Sequence, residues 1–223
     1  MTTTTSATSI DSMGKEKARL LDGSATAMTI SGADMVTGSF VGVVWERLTF
    51  TACEFAGDGN IKLTSMTSCK FVDCVFLAPN HDFGVMTNVV FTHCKSVGRS
   101  IFCGGDTSSG VVFDACDFSG GNVAPEAFEG IGCTGDIAFL NCTGRGEVLV
   151  AGTNMTVENC RFDDMTFVIG RQRSRGTPLA GAVSINDSHG RGRWRMAGNR
   201  MKTSHIRNST FDEIVNDGSE CEA

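Results

Sequence analysis

Six of the ten cysteines in this 223-residue sequence recur at intervals of 18 to 26 residues. Thiols can bind zinc, form disulfides or act as nucleophiles. No CxxC pair and no histidine at ligand spacing accompanies them, so the sequence predicts no metal site and no cofactor. The N-terminus lacks the basic and then apolar order of a signal peptide, which predicts synthesis in a cytoplasm with reduced thiols rather than a disulfide framework.

Carboxylates are the second group with possible chemistry, because two acids in a groove can cleave a glycosidic bond. Asp163 and Asp164 are adjacent, and Asp114 and Asp117 flank one of the repeated cysteines. No set of acids with aromatic sugar platforms recurs around them, so exposed turn acids are favoured and no enzymatic activity is expected. The histidines lack a paired nucleophile and are expected on the surface. They are His81, His93, His189 and His205.

The net charge of −6 conceals a basic segment. Residues 1–169 hold 10 basic and 19 acidic side chains, whereas residues 170–207 hold nine basic and one acidic. Arginines beside an aromatic residue can bind nucleic acid phosphates, acidic protein groups or glycans, or simply be solvated. A protein contact is favoured over nucleic acid. The candidate contacts are Arg171, Arg173, Arg175, Arg191, Arg193, Trp194 and Arg195. Cys221, on a polar tail, is predicted to be free or to link subunits in oxidising surroundings.

An internal repeat defines the elements that position these groups. Each of the six cysteines has apolar residues five and three positions before it, and a phenylalanine often follows two positions later. Ala33, Ser188 and Ser209 replace the cysteine in three weaker copies, so nine anchors recur at a mean step of roughly 22 residues. The residue before the anchor is often Asn or Asp, which form turns. The position three before the anchor is apolar throughout: Ile30, Phe50, Phe71, Phe91, Phe113, Phe139, Val157, Ile185 and Ile206.

Alternating inward and outward residues followed by a small polar turn predict a short strand that enters a corner. Stacking such units forms a parallel sheet, so we predict an all-β fold, a single-stranded parallel β-helix of about nine coils of roughly 22 residues. The interior narrows at each corner, where a small anchor fits, and phenylalanine fills the wider positions. The predicted structural ladder comprises Phe50, Cys53, Phe71, Cys74, Phe91, Cys94, Phe113, Cys116, Phe139, Cys142, Cys160 and Phe162.

The repeat resembles that of right-handed parallel β-helices. The stretch "SCKFVDCVF", with Cys69, Phe71, Cys74 and Phe76, is also similar to pentapeptide-repeat proteins. It departs from that pattern because the five-residue interval is expected for only two units per turn and because the coil lengths vary. An irregular β-helix is therefore the closer resemblance.

Both ends of a stack need caps. Residues 13–23 are predicted to form a short capping helix with Ala18 and Leu21 inward and Gly23 as its stop. The polar arm at 1–12 has no core of its own and is expected to be disordered or ordered by a partner. The β-helix is assigned to 24–214 and an acidic tail to 215–223. No stretch approaches the roughly 18 apolar residues of a membrane span, so no membrane partner is expected.

The architecture is similar to β-helical components of tailed-phage particles, such as head decoration proteins and short tail parts. This resemblance implies a non-enzymatic structural protein of the virion, most simply a capsid decoration (cement) protein. It would act as a homotrimer that binds capsid or tail subunits through the arm and the insertions at 119–134 and 170–200. One alternative is a tailspike-like β-helix that binds or cleaves glycans. Another is a pentapeptide-like DNA mimic, which needs acids along a whole face and is weakened by the basic segment.

Overall fold

The chain folds as an all-β parallel β-solenoid, and the predicted fold class is confirmed. The computed structural model describes residues 3–5, 20, 23, 25–36, 40–56, 61–77, 81–96, 108–118, 131–145, 150–163, 181–191, 193–197 and 201–217. Over these residues, no helix has the length and apolar character that crossing a membrane requires.

Short strands alternate with turns along the whole described chain, as expected when every coil bends several times. In chain order the strands are β1 (Thr3–Thr5), β2 (Met28–Ser31), β3 (Asp34–Val36), β4 (Val44–Glu46), β5 (Thr49–Thr51), β6 (Glu54–Ala56), β7 (Ile61–Lys62), β8 (Ser65–Thr67), β9 (Lys70–Val72), β10 (Val75–Phe76), β11 (His81–Asp82), β12 (Val85–Thr92), β13 (Lys95–Ser96), β14 (Ser109–Asp114), β15 (Asp117–Phe118), β16 (Ile131–Leu140), β17 (Thr143–Arg145), β18 (Val150–Glu158), β19 (Arg161–Asp163), β20 (Gly181–Asn186), β21 (Arg193–Ala197), β22 (Met201–Arg207) and β23 (Glu213–Asp217).

Twelve of the described strands form one parallel sheet, which we call the long sheet. Its path is β1-β2-β5-β9-β12-β14-β16-β18-β20-β22, and β4 and β8 pair beside this path. The apolar column from Ile30 to Ile206 is paired residue to residue at every step along it. We call each of the nine described levels of this column a rung and number them from Ile30, so that Phe113 marks rung five.

Phenylalanine rings of successive rungs stack face to face inside the long sheet. The ring centroid of Phe71 lies 4.9 Å from that of Phe50 and 4.7 Å from that of Phe91, and the interplanar angles are 9° and 8°. The stack continues from Phe91 to Phe113 at 4.8 Å and on to Phe139 at 5.2 Å. Aromatic pairs contribute about 0.5–1.5 kcal/mol beyond their buried area, so this column is a major part of the stability.

A seven-stranded sheet of described strands, with the order β19-β17-β15-β13-β10-β6-β3, forms the adjoining side. The chain turns into it through one residue in the left-handed region before each anchor, for example Asp73 at φ 54° and Asn208 at φ 49°. Asn and Asp tolerate this region better than most residues. Asn and Asp therefore often precede the anchor because the backbone at that position adopts a left-handed conformation.

The interval of five continues around the coils between Phe40 and Ser96, with a single step of six from Phe55 to Ile61, which corrects the expectation of two such units per turn. In this part of the chain each coil has four sides, each side contributes one inward residue at this interval, and most sides bury a second residue, such as Leu48 beside Phe50. The interval was hidden because the types of side chain differ from side to side. The buried inward residues are Phe40, Trp45, Phe50, Phe55, Ile61, Met66, Phe71, Phe76, His81, Met86, Phe91 and Ser96.

At the N-terminal end, part of the polar arm adds a strand to the stack. Strand β1 pairs in parallel with β2, with Thr3 opposite Met28. Leu20 is helical and fully buried, and its carbonyl accepts a hydrogen bond from Trp45 Nε1 at 3.4 Å. Leu20 thus covers the first coils. Of the predicted capping helix, the positions of Ala18 and Leu21 lie outside the described residues.

At the C-terminal end, β21 pairs in parallel with β23, so regular structure extends past residue 214. Ile206 on rung nine is 39% exposed, whereas Ile185 on rung eight is 1% exposed. The core therefore thins at the last rung, where Phe211 packs against it only partly buried. Residues 119–130 and 170–180, which fall in the predicted insertions, lie outside the described residues.

Replacing Phe71 by Ala is expected to lower the free energy of unfolding by roughly 3–5 kcal/mol. The ring has a stacked ring on each side, and its neighbours are held by strand pairing and cannot fill the cavity. Urea unfolding followed by circular dichroism measures the change. Phe211→Ala is the matched control, since its ring is only partly buried, and its cost should be less than half. Equal costs would show that the stack is not interior.

Candidate functional site

The six repeated cysteines form one column inside the corner between the long sheet and the seven-stranded sheet. All six are buried. Each sulfur donates to a carbonyl of the preceding coil, as Cys74 Sγ does to Phe50 O at 3.5 Å and Cys142 Sγ to Phe113 O at 3.3 Å. The ladder phenylalanines named from the sequence, including Phe162 on β19, are buried beside this column.

Serine continues the thiol column at its C-terminal end. Ser188 Oγ donates to Asn186 O at 2.8 Å, which is the contact that Cys160 Sγ makes with Glu158 O at 3.2 Å. Ser188 Oγ also accepts a hydrogen bond from Cys160 N at 3.1 Å. A hydroxyl and a thiol make equivalent contacts here, so the corner requires a small side chain with a polar tip and does not require sulfur.

Burial and hydrogen bonding raise the pKa of several of the described thiols. Desolvation raises the pKa of Cys69 to about 11. Hydrogen bonds with the stacked thiols Cys74 and Cys142, together with burial, raise the pKa of Cys53 and Cys116. Metal ligation and nucleophilic attack both need the thiolate, so the raised pKa values hold Cys53, Cys69 and Cys116 in the inert form. No cluster of three or more His, Cys, Asp or Glu side chains that could hold a metal ion occurs in the described ranges.

A polar ladder follows the outside of the same corner. Asn141 Nδ2 donates to Asp114 Oδ1 at 2.9 Å, and Asn159 Nδ2 donates to Asn141 Oδ1 at 2.8 Å. Two rungs further on, Asn208 Nδ2 donates to Asp187 Oδ1 at 3.1 Å. Each bond connects one coil to the next. The amides and carboxylates of this ladder therefore stabilise the stack, in addition to permitting the turn.

The other carboxylates considered for glycan cleavage are also engaged with neighbouring groups. Asp117 Oδ1 accepts a hydrogen bond from Thr143 Oγ1 at 3.3 Å. Asp163 Oδ2 lies 3.5 Å from Arg161 Nη2 on the same strand. Each of these carboxylates is thus bonded to a neighbouring side chain, as in a surface ladder. Asp164 lies outside the described residues.

The structure describes part of the basic segment. Arg191 is exposed, and its backbone N–H donates to Asp163 Oδ1 at 3.4 Å. Strand β21 contains Arg193, Trp194 and Arg195, and pairs Arg193 with Glu213. An acidic residue therefore stands beside the arginines along the backbone. The remaining predicted contact residues lie outside the described part of the chain: Arg171, Arg173, Arg175 and the thiol Cys221.

His81 is fully buried, which corrects the expectation that all four histidines lie on the surface. Its ring centroid lies 5.2 Å from that of Phe76, edge to face, and 5.9 Å from that of Phe83, stacked. The position is inward because it follows Phe76 by five residues, a spacing that the sequence contained. The other three, His93, His189 and His205, are exposed.

Comparisons with known proteins add little to this description. No protein-family model and no curated protein sequence matches the chain. Among solved structures, two trypsin-treated variants of QnrB1, a plasmid-mediated fluoroquinolone resistance protein, are similar to it. One is 13% identical and covers 84% of this chain and 91% of its own, with a TM-score of 0.30. The other is 12% identical and covers 82% and 91%, with a TM-score of 0.27. We draw nothing about function from a likeness at this level.

The described thiols are expected to be unreactive in the folded protein. A variant with Cys103, Cys133 and Cys221 replaced by serine retains the seven thiols that the structure describes as buried. Ellman's reagent at pH 8 should detect almost no thiol in this variant until urea is added, and then all seven, because the reagent reacts with exposed thiolate. Rapid stoichiometric reaction of the folded variant would contradict a packed column.

Stability is expected to fall as the pH rises above about 9. The pKa of Cys69 is raised from its ordinary value of 9.0 to about 11, so on raising the pH the unfolded chain loses its proton first. The stabilisation is complete below pH 9 and is lost progressively between about pH 9 and 11. Urea unfolding at pH 8, 9 and 10 measures the slope. Cys69→Ala should reduce it, and an unchanged slope would contradict the assignment.

Proposed function

We propose that the protein is a non-enzymatic structural protein that binds another protein through its outer surface. The packed interior carries this proposal. Inward positions along the described coils are filled by stacked rings, thiols and aliphatic side chains that are almost completely buried. A partner therefore meets only the outside of the solenoid. The outer carboxylates described above are tied to adjacent coils, which leaves them poorly suited to catalysis.

The hydrogen bonds between coils hold the outer surface of the solenoid in a fixed shape for binding a partner. Each coil bonds to the next through its strands and also at its corners, as Val75 N does to Cys53 O at 2.9 Å and Lys95 N to Cys74 O at 2.9 Å. A stack bonded in this way presents outer side chains at fixed spacing. Fixed spacing favours binding to a regular, repeated protein surface, because little side-chain order remains to be imposed on association.

The partner that we propose is the shell or tail of a tailed-phage particle, so that the protein acts in the virion as a decoration protein. The support is the architectural resemblance noted above and the local excess of basic residues in 170–207. Arg191 is exposed in this segment. A protein surface fits better than nucleic acid, because Asp163 bonds to the backbone of Arg191 and Glu213 is paired with Arg193.

The mixed charge of the outer columns does not favour DNA mimicry. Along the seven-stranded sheet, the charged members of one outward column are Asp34, Glu54, Lys95, Asp117 and Arg161 in that order. A DNA mimic needs a continuous line of negative charge that reproduces the phosphate spacing. The basic residues Lys95 and Arg161 interrupt such a line in this column.

Removing basic charge from 170–180 is expected to release the protein from particles. In a variant with Arg171, Arg173 and Arg175 replaced by Glu, repulsion should reduce co-sedimentation with capsids purified from the source of the sequence by on the order of tenfold. The control replaces Arg47, Lys62 and Lys95 by Glu, which changes the net charge equally on other coils. It should bind as the unaltered protein does. Failure of the unaltered protein to sediment with particles would contradict the proposal.

A further inference from the structure

The six cysteines of the thiol column lie directly above one another. The residue after each cysteine pairs with its equivalent on the next coil, as Val75 does with Glu54. The residue two positions before each cysteine is paired in the same way. The cysteines are therefore level from coil to coil, with no shift of register between them. In order they are Cys53, Cys74, Cys94, Cys116, Cys142 and Cys160.

The six sulfur atoms also point in the same direction. Cys94 Sγ donates to Thr92 O, two residues before it, at 3.4 Å, and to Phe71 O on the preceding coil at 3.5 Å. The other five sulfurs make the same two contacts at the equivalent carbonyls. Side chains with equal directions on strands in register are separated by the spacing of the coils, so neighbouring sulfurs lie about 4.8 Å apart.

This spacing suits a metal ion between two sulfurs better than it suits a disulfide. A disulfide needs its sulfurs at about 2.05 Å and its Cβ atoms at roughly 3.8 Å. Cβ atoms that point the same way on neighbouring coils lie about 4.8 Å apart, and closing that gap would pull paired strands together. A cation held in a line by two sulfurs needs no such movement, because two metal–sulfur bonds of about 2.3 Å span about 4.6 Å.

The number of ligands decides which cations fit the column. Each gap between neighbouring thiols offers two sulfurs, whereas protein sites for zinc use three or four ligands. Cations that accept two sulfurs in a line are soft and monovalent, and Cu(I) is the one that thiol ligands select in proteins. The zinc spacing that is missing from the sequence therefore does not bear on a site of this kind.

We propose that the thiol column binds soft monovalent cations, Cu(I) or its analogue Ag(I), with one cation in each gap between neighbouring sulfurs. Six sulfurs enclose five gaps. Each cation bonds to two sulfurs and releases one thiol proton to solvent, so five cations release five protons and the sixth proton remains. The filled column is neutral, as an apolar interior requires. The site lies inside the solenoid and is independent of the outer binding surface proposed above.

The protonated state of the empty column does not prevent binding. The raised pKa values described above disfavour the free thiolate, and they lower the affinity for a cation accordingly. A thiol that coordinates a cation is nevertheless deprotonated by it, so the proton leaves as the metal–sulfur bond forms.

The column is bounded by residues that cannot hold a soft cation. Ala33 stands before the first thiol and offers no ligand atom, and Ser188 follows the last with a hydroxyl, which is a hard ligand. Cys69 is equally buried but lies on another column, where its neighbours in register are Leu48 and Val89. Cys69 therefore forms no gap with another thiol and is the natural control.

The number of silver ions in the folded protein tests the proposal. The parent is the variant with Cys103, Cys133 and Cys221 replaced by serine, which retains the seven thiols described as buried. It is refolded from urea with excess silver nitrate in chloride-free buffer, so that entry into the interior does not limit binding. Gel filtration removes free silver, circular dichroism checks the fold, and native mass spectrometry counts the bound ions. Silver(I) is used because it does not change its oxidation state. Five ions per chain are expected.

Single serine variants of this parent distinguish gaps from individual thiols. They should fold, because Ser188 makes the same contacts as a cysteine of the column. Cys94→Ser removes two gaps and should bind three ions, Cys53→Ser removes one gap and should bind four, and Cys69→Ser should still bind five. Thiols that bind silver separately predict equal losses in all three variants. The proposal is overturned if the folded parent does not hold five ions, if the chain does not fold with silver, or if Cys94→Ser and Cys69→Ser bind the same number.

Discussion

The stacking of like residues on like residues, rung above rung, is the constraint on which the rest of this structure depends. Parallel strands in register place each side chain directly over its equivalent about 4.8 Å away. Flat rings meet this spacing well, as the centroid distance of 4.7 Å between Phe71 and Phe91 shows. The thiol column and the ladder from Asp114 through Asn141 to Asn159 satisfy the same spacing with hydrogen bonds. Similar residues therefore recur in the sequence, because each side chain of a column must pack against its equivalent on the next rung.

The same constraint explains how much of the fold could be predicted. Where a column repeats one residue type, as phenylalanine does three positions before the anchor, the period is visible in the sequence and the solenoid follows from it. Where one side of a coil carries Ile61 and the next coil carries His81 in register, the geometry repeats but the chemistry does not. The inward positions on these sides were not predicted from the sequence. The strand at Thr3–Thr5 was hidden for another reason, since three threonines have no apolar pattern and the strand depends on pairing with β2.

Surface sites were harder to predict than the core. Outward residues such as Val90, Val112 and Ala138 come from separate rungs and become neighbours only after the register is known. Repeated cysteines can suggest a reactive site. Here their repetition reflects the small space that is available at each corner. Ser188 makes the contacts of a cysteine, which indicates that the corner selects for size and a polar tip. The expectation from the sequence was the same, namely that a small anchor fits where the interior narrows at each corner.

Insertions change the length of a coil without disturbing the inward column, and this allows function to vary on a constant core. Phe113 pairs with Phe139, and Val157 pairs with Ile185, although 26 and 28 residues separate the members of these pairs. The register shifts that do occur fall early in the strands, between Cys133 and Asp136 and between Gly181 and Ala182, before the column is reached. Extra residues are thus absorbed between rungs. The arginines of 171–175 belong to one such segment of the sequence, so its residues can vary while the stacked rings keep their partners.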